Sequence, residues 1–220
     1  MAGPSSFWPL FGLVVRTPRL EVRLPREDEF AALIEVIDDG IHAADFMPFH
    51  ISWTEEEPGP RARSSAQWWW RHRANWSPDK WTFTGAVFVD GQPVGVQDLM
   101  AEHFGAVRSV ETGSWLGRRH QGRGLGREMR EAILHLAFAG LGAEEALSGG
   151  FEDNVASLAT SRSVGYMENG EALGARGNGA ARTIRFRLSR PEWERRRRAD
   201  IEIVGLDGCL EMFGGSQPTA

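Results

Sequence analysis

The stretch RRHQGRGLGRE, residues 118–128, limits what this chain can fold into more than any other. It packs three glycines and four arginines between SVETGSWLG, which reads as a strand, and a run that reads as a helix. Glycines let successive backbone N–H groups face one point without a Cβ in the way, and a helix start adds partial positive charge. Such a concavity suits a phosphate, so a strand end, a bare loop and a helix start must lie side by side. Spacing excludes two phosphate loops. A Walker A loop needs Lys followed by Ser or Thr after its last glycine, and Gly126 is followed by Arg127 and Glu128. A dinucleotide fingerprint spaces its glycines two and then three residues apart, whereas Gly122, Gly124 and Gly126 are spaced two and two. What remains is Gln-x-x-Gly-x-Gly at Gln121, Gly124 and Gly126, with Arg118, Arg119, Arg123 and Arg127 as counter-charge. A glycine-rich turn with solvated arginines is the plainer alternative.

Around this loop the periodicity predicts a mixed α/β domain. LVVRTPRLEVRL reads as extended structure around Pro18. Phe30, Leu33, Ile34, Ile37 and Ile41 recur at helical spacing, with Gly40 as a stop. An irregular segment, HAADFMPFHISWTEEEPGP, leads to a second helix over RARSSAQWWWRHRANW. WTFTGAVFVDGQPVGVQDLM reads as a hairpin turning at Asp90-Gly91. Beyond the loop, Leu125, Met129, Ala132, Ile133, Leu136 and Ala137 form one apolar helical face. EALSGGF predicts a short buried strand, and a helix runs from Asn154 to Gly165 with Asp153 or Asn154 as N-cap. GEALGARGNGAA reads as a loop, RTIRFRLSR as a late strand, and Ser189 as the cap of a short helix through PEWERRRR. This hairpin-rich order argues against a regular doubly wound sheet.

A chain of 220 residues, 41% hydrophobic, fits one domain with appendages. We divide it into an N-terminal arm (1–13), a domain (14–190) and a C-terminal extension (191–220). The extension alternates at Ile201 and Ile203, which predicts an extra strand docking on the core or on a neighbouring subunit. A net charge of −5 argues against nucleic acid as a partner, and the run Arg195 to Arg198 reads as a solvated face or subunit contact. The first twenty residues lack a basic leader and are broken by Pro and Gly, so neither signal peptide nor membrane span is expected. The single Cys209 permits no internal disulfide and has no local His partner; a reducing cytoplasm is expected. No His or Cys spacing predicts a metal site. Trp68, Trp69 and Trp70 cannot share one helix face, so at least one is exposed or meets a partner, as a homodimer or higher homo-oligomer contact or as a substrate platform.

Gln-x-x-Gly-x-Gly after a strand resembles the acyl-CoA pyrophosphate loop of the GNAT N-acyltransferases. Three further stretches resemble the RimJ/RimL branch of that family. TPRLEVRLPREDE is similar to its opening strand and first helix, and ETGSWLGRRHQGRGLGREM to its Glu-x-Gly-x-Trp-Leu strand, loop and helical Glu. FEDNVASLATSRSVGY is similar to its Asn-x-x-Ser helix closing in Gly-aromatic, here Gly165-Tyr166. The resemblance spans about residues 14 to 190. It implies the GNAT fold: a mixed α+β domain whose central, mostly antiparallel twisted sheet is flanked by helices and binds CoA between splayed central strands. It implies transfer of an acyl group, acetyl by default or succinyl, from acyl-CoA to a primary amine of a protein N-terminus, a lysine or a small molecule. The alternative is a catalytically silent module that binds acyl-CoA as sensor or scaffold.

Carried over by position, the resemblance implies that Gln121, Gly122, Arg123, Gly124, Leu125, Gly126 and Arg127 hold the pyrophosphate, largely through backbone N–H groups. The strand at Trp115 and Leu116 would pair with the pantetheine arm, with an N–H near Leu116 polarising the thioester carbonyl. Asn154 would touch the pantetheine from the other side, and Ser157 would sit near the sulfur. Many members place a Tyr seven residues after that Asn to protonate the leaving thiolate. Here the position is Ser161, which leaves Ser157, water or nothing in that role. Tyr166 aligns with a packing aromatic and is expected in the core. Direct attack suits the chain better than an acyl-enzyme, since its one cysteine lies outside the matched stretch. Glu111, two residues before Gly113 on the same pleat face, is the candidate general base; a cross-strand ion pair or exposed carboxylate is the alternative. His50 and Trp53, with Phe46 and Phe49, are expected to wall the acceptor pocket, the alternative being a loop that packs its own aromatics over the core.

Overall fold

Pro18 breaks the first extended segment into two short strands, β1 (Val14–Arg16) and β2 (Glu21–Arg23), which pair antiparallel across a turn closed by Thr17 N–H on Leu20 O. α1 (Phe30–Asp38) ends before Gly40, whose φ of +97° suits a residue without Cβ. α2 (Pro58–Ala74) starts ahead of the predicted helix because Pro58 occupies its first turn, where a missing N–H is no loss. β3 (Lys80–Val89) and β4 (Gln92–Glu102) form the expected hairpin, and Asp90 and Gly91 both take positive φ, as a type I′ turn requires. A short helix α3 (Phe104–Val107), β5 (Ser109–Leu116), α4 (Leu125–His135), β6 (Glu145–Phe151), α5 (Val155–Ser163), β7 (Met167–Arg176), β8 (Gly179–Ser189), α6 (Arg190–Glu194) and β9 (Glu202–Val204) follow.

The computed structural model describes residues 6–215. Its strands make one nine-stranded sheet in the order β7-β8-β6-β5-β4-β3-β2-β1-β9. β5 and β6 run parallel; every other neighbouring pair is antiparallel. Side chains alternate across the central strands, so both faces are covered. Phe83 and Leu99 enter a core with Leu125, Met129 and Ile133 of α4. Ala86, Phe88 and Val96 point the other way, toward Phe30 and Leu33 of α1 and Trp69 of α2. Trp69 is buried while its neighbours Trp68 and Trp70 remain 42% and 48% exposed, as three adjacent residues on one helix must divide.

Two sequence readings need correction. GEALGARGNGAA is not a loop: it forms the end of β7, a turn at Gly177 and the start of β8. β7 lies at the sheet edge with most of its side chains exposed, so it carries no apolar alternation to betray a strand. The short helix ends at Glu194, ahead of the arginine run, and Ser189 makes no side-chain cap bond there. The tail strand docks on its own chain, with Val14, Val15 and Arg16 of β1 in register with Val204, Ile203 and Glu202 of β9. The chain after it returns to the core: Cys209 and Phe213 are buried, and the Trp76 and Trp81 indoles donate to the carbonyls of Met212 and Phe213. The last five residues of the tail lie outside the described residues.

Candidate active site

The central feature is a parting of two strands. β5 and β6 are in register only from Ser109 to Glu111 and Glu145 to Leu147. Beyond that, β5 stays on β4 as far as Leu116 opposite Gly95, while β6 stays on β8 as far as Phe151 opposite Thr183. The two diverge and leave a cleft with one edge of each strand without a strand neighbour. Backbone groups along such an edge require hydrogen-bond partners, and an extended ligand can supply them.

On the α4 side the cleft is floored by a buried cation. Arg130 of α4 is 3% exposed. Its guanidinium donates to Gln97 Oε1 at 3.3 Å, Ser114 Oγ at 3.0 Å and Ser148 Oγ at 3.1 Å. It thereby ties β4, β5 and β6 to one helix at the level where β5 and β6 separate. All three acceptors are neutral, and burial lowers the pKa of this guanidinium. Beside it the buried Tyr166 hydroxyl lies 3.0 Å from Thr112 Oγ1, which places Tyr166 in the core as expected.

At the outer end of the cleft stands the glycine loop. Gly122 and Gly124 take φ of +72° and +79°, the left-handed region that a side chain resists. Gly124 is the N-cap of α4 and contributes no capping side chain, so the first-turn N–H groups of Leu125, Gly126 and Arg127 point outward into an exposed concavity. The loop is held from behind. Gln121 Nε2 donates to both Ile41 O and Leu116 O at 2.7 Å, so this side chain staples the loop to the end of β5. Glu128 is buried and accepts from Thr17 and Arg19, while Arg19 also donates to Arg123 O. Burial opposes ionisation of Glu128, but those hydrogen bonds hold its pKa below the ordinary carboxylate range. Of the four loop arginines, Arg119 and Arg127 are already paired, with Asp39 and Glu131.

Across the cleft, Asn154 caps α5 by accepting from Ser157 N–H at 3.2 Å. Ser157 is half-buried, and its Oγ would lie 3.4 Å from a Cβ at Gly150, so Gly150 lets α5 close on the unpaired part of β6. Between α4 and α5, a Cβ at Gly126 would stand 4.0 Å from Thr160 Oγ1. The sequence-read donor residues Trp115, Leu116, Gln121–Arg127, Asn154 and Ser157 thus border a single cleft.

The opposite face of the sheet belongs to the segment joining α1 and α2. Trp53 lies 6.3 Å from the Trp115 ring and 5.3 Å from that of Phe49. His50 sits farther along, 4.6 Å from the Phe151 ring of β6 and with Nδ1 3.2 Å from Ala175 O of β7. The segment therefore spans from β5 to β7 across the cleft. Glu111 is on this face and is exposed.

The residue that sequence reasoning missed on this face is Asp98. It stands on β4 opposite Gly113 of β5, on the same pleat side as Val96. One carboxylate oxygen, Oδ1, is shut off from solvent with no hydrogen-bond partner among the described residues. The other lies 3.8 Å from where a Cβ on Gly113 would stand. Burial alone raises its pKa to about 7. The signal was available in VGVQDLM, where one acid stands beside Gln97 among apolar residues of a central strand. Arg130 was legible too: it lies three residues before Ile133 and four before Leu134, flanking the apolar face. Among the described residues no group of three or more His, Cys, Asp or Glu is placed to hold a metal, and no helix is long and apolar enough to cross a membrane.

Comparison with known proteins agrees with this geometry. A family model described as an acetyltransferase (GNAT) domain matches residues 19–167. Among solved structures, Mycobacterium smegmatis RimJ in complex with CoA-disulfide is similar at 17% identity and TM-score 0.69, covering 92% of this chain and 95% of that one. RimL, a ribosomal L7/L12 α-N-protein acetyltransferase in complex with coenzyme A, is 16% identical at TM-score 0.64, over 80% of this chain and 97% of that one. The ribosomal-protein-S5-alanine acetyltransferase from Vibrio fischeri is 17% identical at TM-score 0.63, over 82% and 98%. At these identities the likeness is one of fold, and the family follows from the model that matches most of the chain. This chain belongs to the GNAT acetyltransferase family.

Proposed function

We propose that the protein transfers an acyl group from acyl-CoA to a primary amine by direct attack, without an acyl-enzyme. The observation that carries this reading is the parting of β5 and β6 beside the uncapped first turn of α4. The loop N–H groups suit a pyrophosphate, and the free edge of β5 at Trp115 and Leu116 suits an amide-bearing pantetheine arm. Asn154 and Ser157 close on the arm from α5. Cys209 is buried and its thiol is pushed up to about 12, which removes the chain's one thiol as a nucleophile. The leaving group departs as a thiolate, and the cation of Arg130 under the cleft stabilises that charge, in a chain that has Ser161 where a proton-donating Tyr is common.

The donor we favour is acetyl-CoA, as the family description suggests. Succinyl-CoA is the second donor to test, because His50 and the uncompensated Arg130 border the two sides of the cleft region. The acceptor we favour is a protein N-terminus, in keeping with the named acceptors of RimL and the Vibrio fischeri enzyme. Self-association through the exposed Trp68 and Trp70 of α2 and residence in a reducing cytoplasm belong to the same proposal. The test is release of CoA thiol from acetyl-CoA and from succinyl-CoA with peptide N-termini, lysine side chains and polyamines, each product weighed by mass spectrometry. Stoichiometric amide and thiol would support transfer. Tight acyl-CoA binding without release on any acceptor would favour a sensor or scaffold.

A further inference from the structure

We infer that Asp98 is the group that takes the proton from the attacking amine, acting over Gly113 at the face of the cleft opposite α4. The inference rests on acyl transfer at the β5–β6 cleft. Arg130, Tyr166 and α5 pack on the α4 face of that cleft, and the segment joining α1 and α2 borders the other face, where we place the acceptor. There Trp115, Gly113 and Glu111 succeed one another along β5, and Asp98 stands beside Gly113 on β4. A side chain at position 113 would lie between the carboxylate and the cleft; glycine leaves that path clear. A carboxylate oxygen shut off from solvent without a partner destabilises a fold, and among the described residues no cation pairs with this one. The charged groups on the surrounding elements are Glu35 and Asp38 of α1, Arg61, Arg63, Arg71, His72 and Arg73 of α2, Lys80 of β3, Glu102 of β4 and Glu111 of β5. None of them moves the titration of Asp98, which burial alone brings to about 7. That value suits a base for an α-amine, whose pKa is about 7.7–8.0.

The bound ammonium gives one proton to the Asp98 carboxylate. The neutral nitrogen attacks the thioester carbon, and its lone pair forms the C–N bond. The tetrahedral adduct collapses with the C–S pair leaving on sulfur. The second nitrogen proton passes to the thiolate, Asp98 returns its own to water, and the products are amide, CoA thiol and one released proton.

The experiment uses the full chain, acetyl-CoA and an N-terminal peptide amine, with Asp98→Asn, Asp98→Glu and Glu111→Gln compared. For Asp98→Asn we expect kcat to fall about 100-fold or more, the size of a general-base contribution. Acetyl-CoA should bind within twofold of the unaltered chain, and the acid limb of kcat/KM near pH 7 should move up toward the pKa of the amine. Asp98→Glu should recover part of kcat. A ¹³C-carboxyl titration near 7, lost in Asp98→Asn, reads the same group without turnover. Asp98→Asn with kcat within threefold and an unmoved acid limb would overturn the assignment, as would a larger loss in Glu111→Gln. Loss of acetyl-CoA binding in Asp98→Asn would also overturn it, by making Asp98 part of the donor site. If the unaltered chain bound acetyl-CoA and released no thiol with any amine, the transfer reading itself would fail.

Discussion

A buried cation and a half-buried carboxylate lie on opposite faces of the same strands, and they are treated in opposite ways. Arg130 reaches up from α4 and gives hydrogen bonds to three side chains on three strands. Asp98, one residue along β4 from the Gln97 that Arg130 touches, leaves one oxygen with no hydrogen-bond partner among the described residues. A buried polar network that is largely satisfied rigidifies what it connects. A buried group left unsatisfied costs stability and persists where a reaction or a ligand uses it. The donor side of the cleft is therefore built as a fixed frame, and the acceptor side holds a group in reserve.

The sharpest way to break this comparison is Arg130→Ala. It opens a cavity under the cleft and strips three acceptors of their donor, so we expect a loss of about 3–5 kcal/mol in urea unfolding. Acetyl-CoA binding should weaken in the same variant, because β5 and β6 lose the group that sets their separation. Stability within about 1 kcal/mol of the unaltered chain would show that Arg130 is no frame and that the two charges are alike.

Asp98→Asn should act in the opposite direction. The folded pKa of about 7 lies above an unfolded value of about 3.9, so between them the folded chain binds the extra proton. Its contribution is therefore complete below about pH 4 and is lost as pH rises through about 7. Asp98→Asn should lack that decline. At pH 8 it should be more stable than the unaltered chain by on the order of 4 kcal/mol, and at pH 4 the two should nearly coincide. Parallel stability–pH curves for the two chains would mean that Asp98 has an ordinary pKa and a hydrogen-bond partner in solution.

The two sides of the cleft also differ in how far the sequence reveals them. The donor side is written locally: Gly124 at a left-handed N-cap, the apolar stripe of α4 and the Asn154 cap all depend on residues within a few positions. The acceptor side is assembled from distant segments. Asp98 acquires its meaning from Gly113, fifteen positions on in a neighbouring strand, and His50 from Ala175 in β7. Strand pairing is similarly non-local. The alternation of Ile201 and Ile203 announces a strand, but only the folded chain shows that its partner is β1. RTIRFRLSR announces β8, but its partner β7 does not show, because an exposed edge strand needs no apolar alternation and glycines within it look like loop.

The finest test separates the strands that Arg130 joins. Ser148→Ala removes a single hydroxyl acceptor on β6 and should cost about 1 kcal/mol, the ordinary worth of one hydrogen bond. Ser114→Ala does the same on β5. If Arg130 holds the two strands at one separation, their effects should couple: the double variant should lose measurably less or more than the sum, by about 0.5 kcal/mol or above. Each change lies on the α4 face, so the acid limb of the pH–rate profile, which we attribute to Asp98 on the other face, should stay where it is. A shift of that limb in Ser148→Ala or Ser114→Ala would mean that the frame and the proton acceptor form one network through Gln97, whose amide already reaches Gly113 O at 2.8 Å and the Asp98 carbonyl at 3.2 Å.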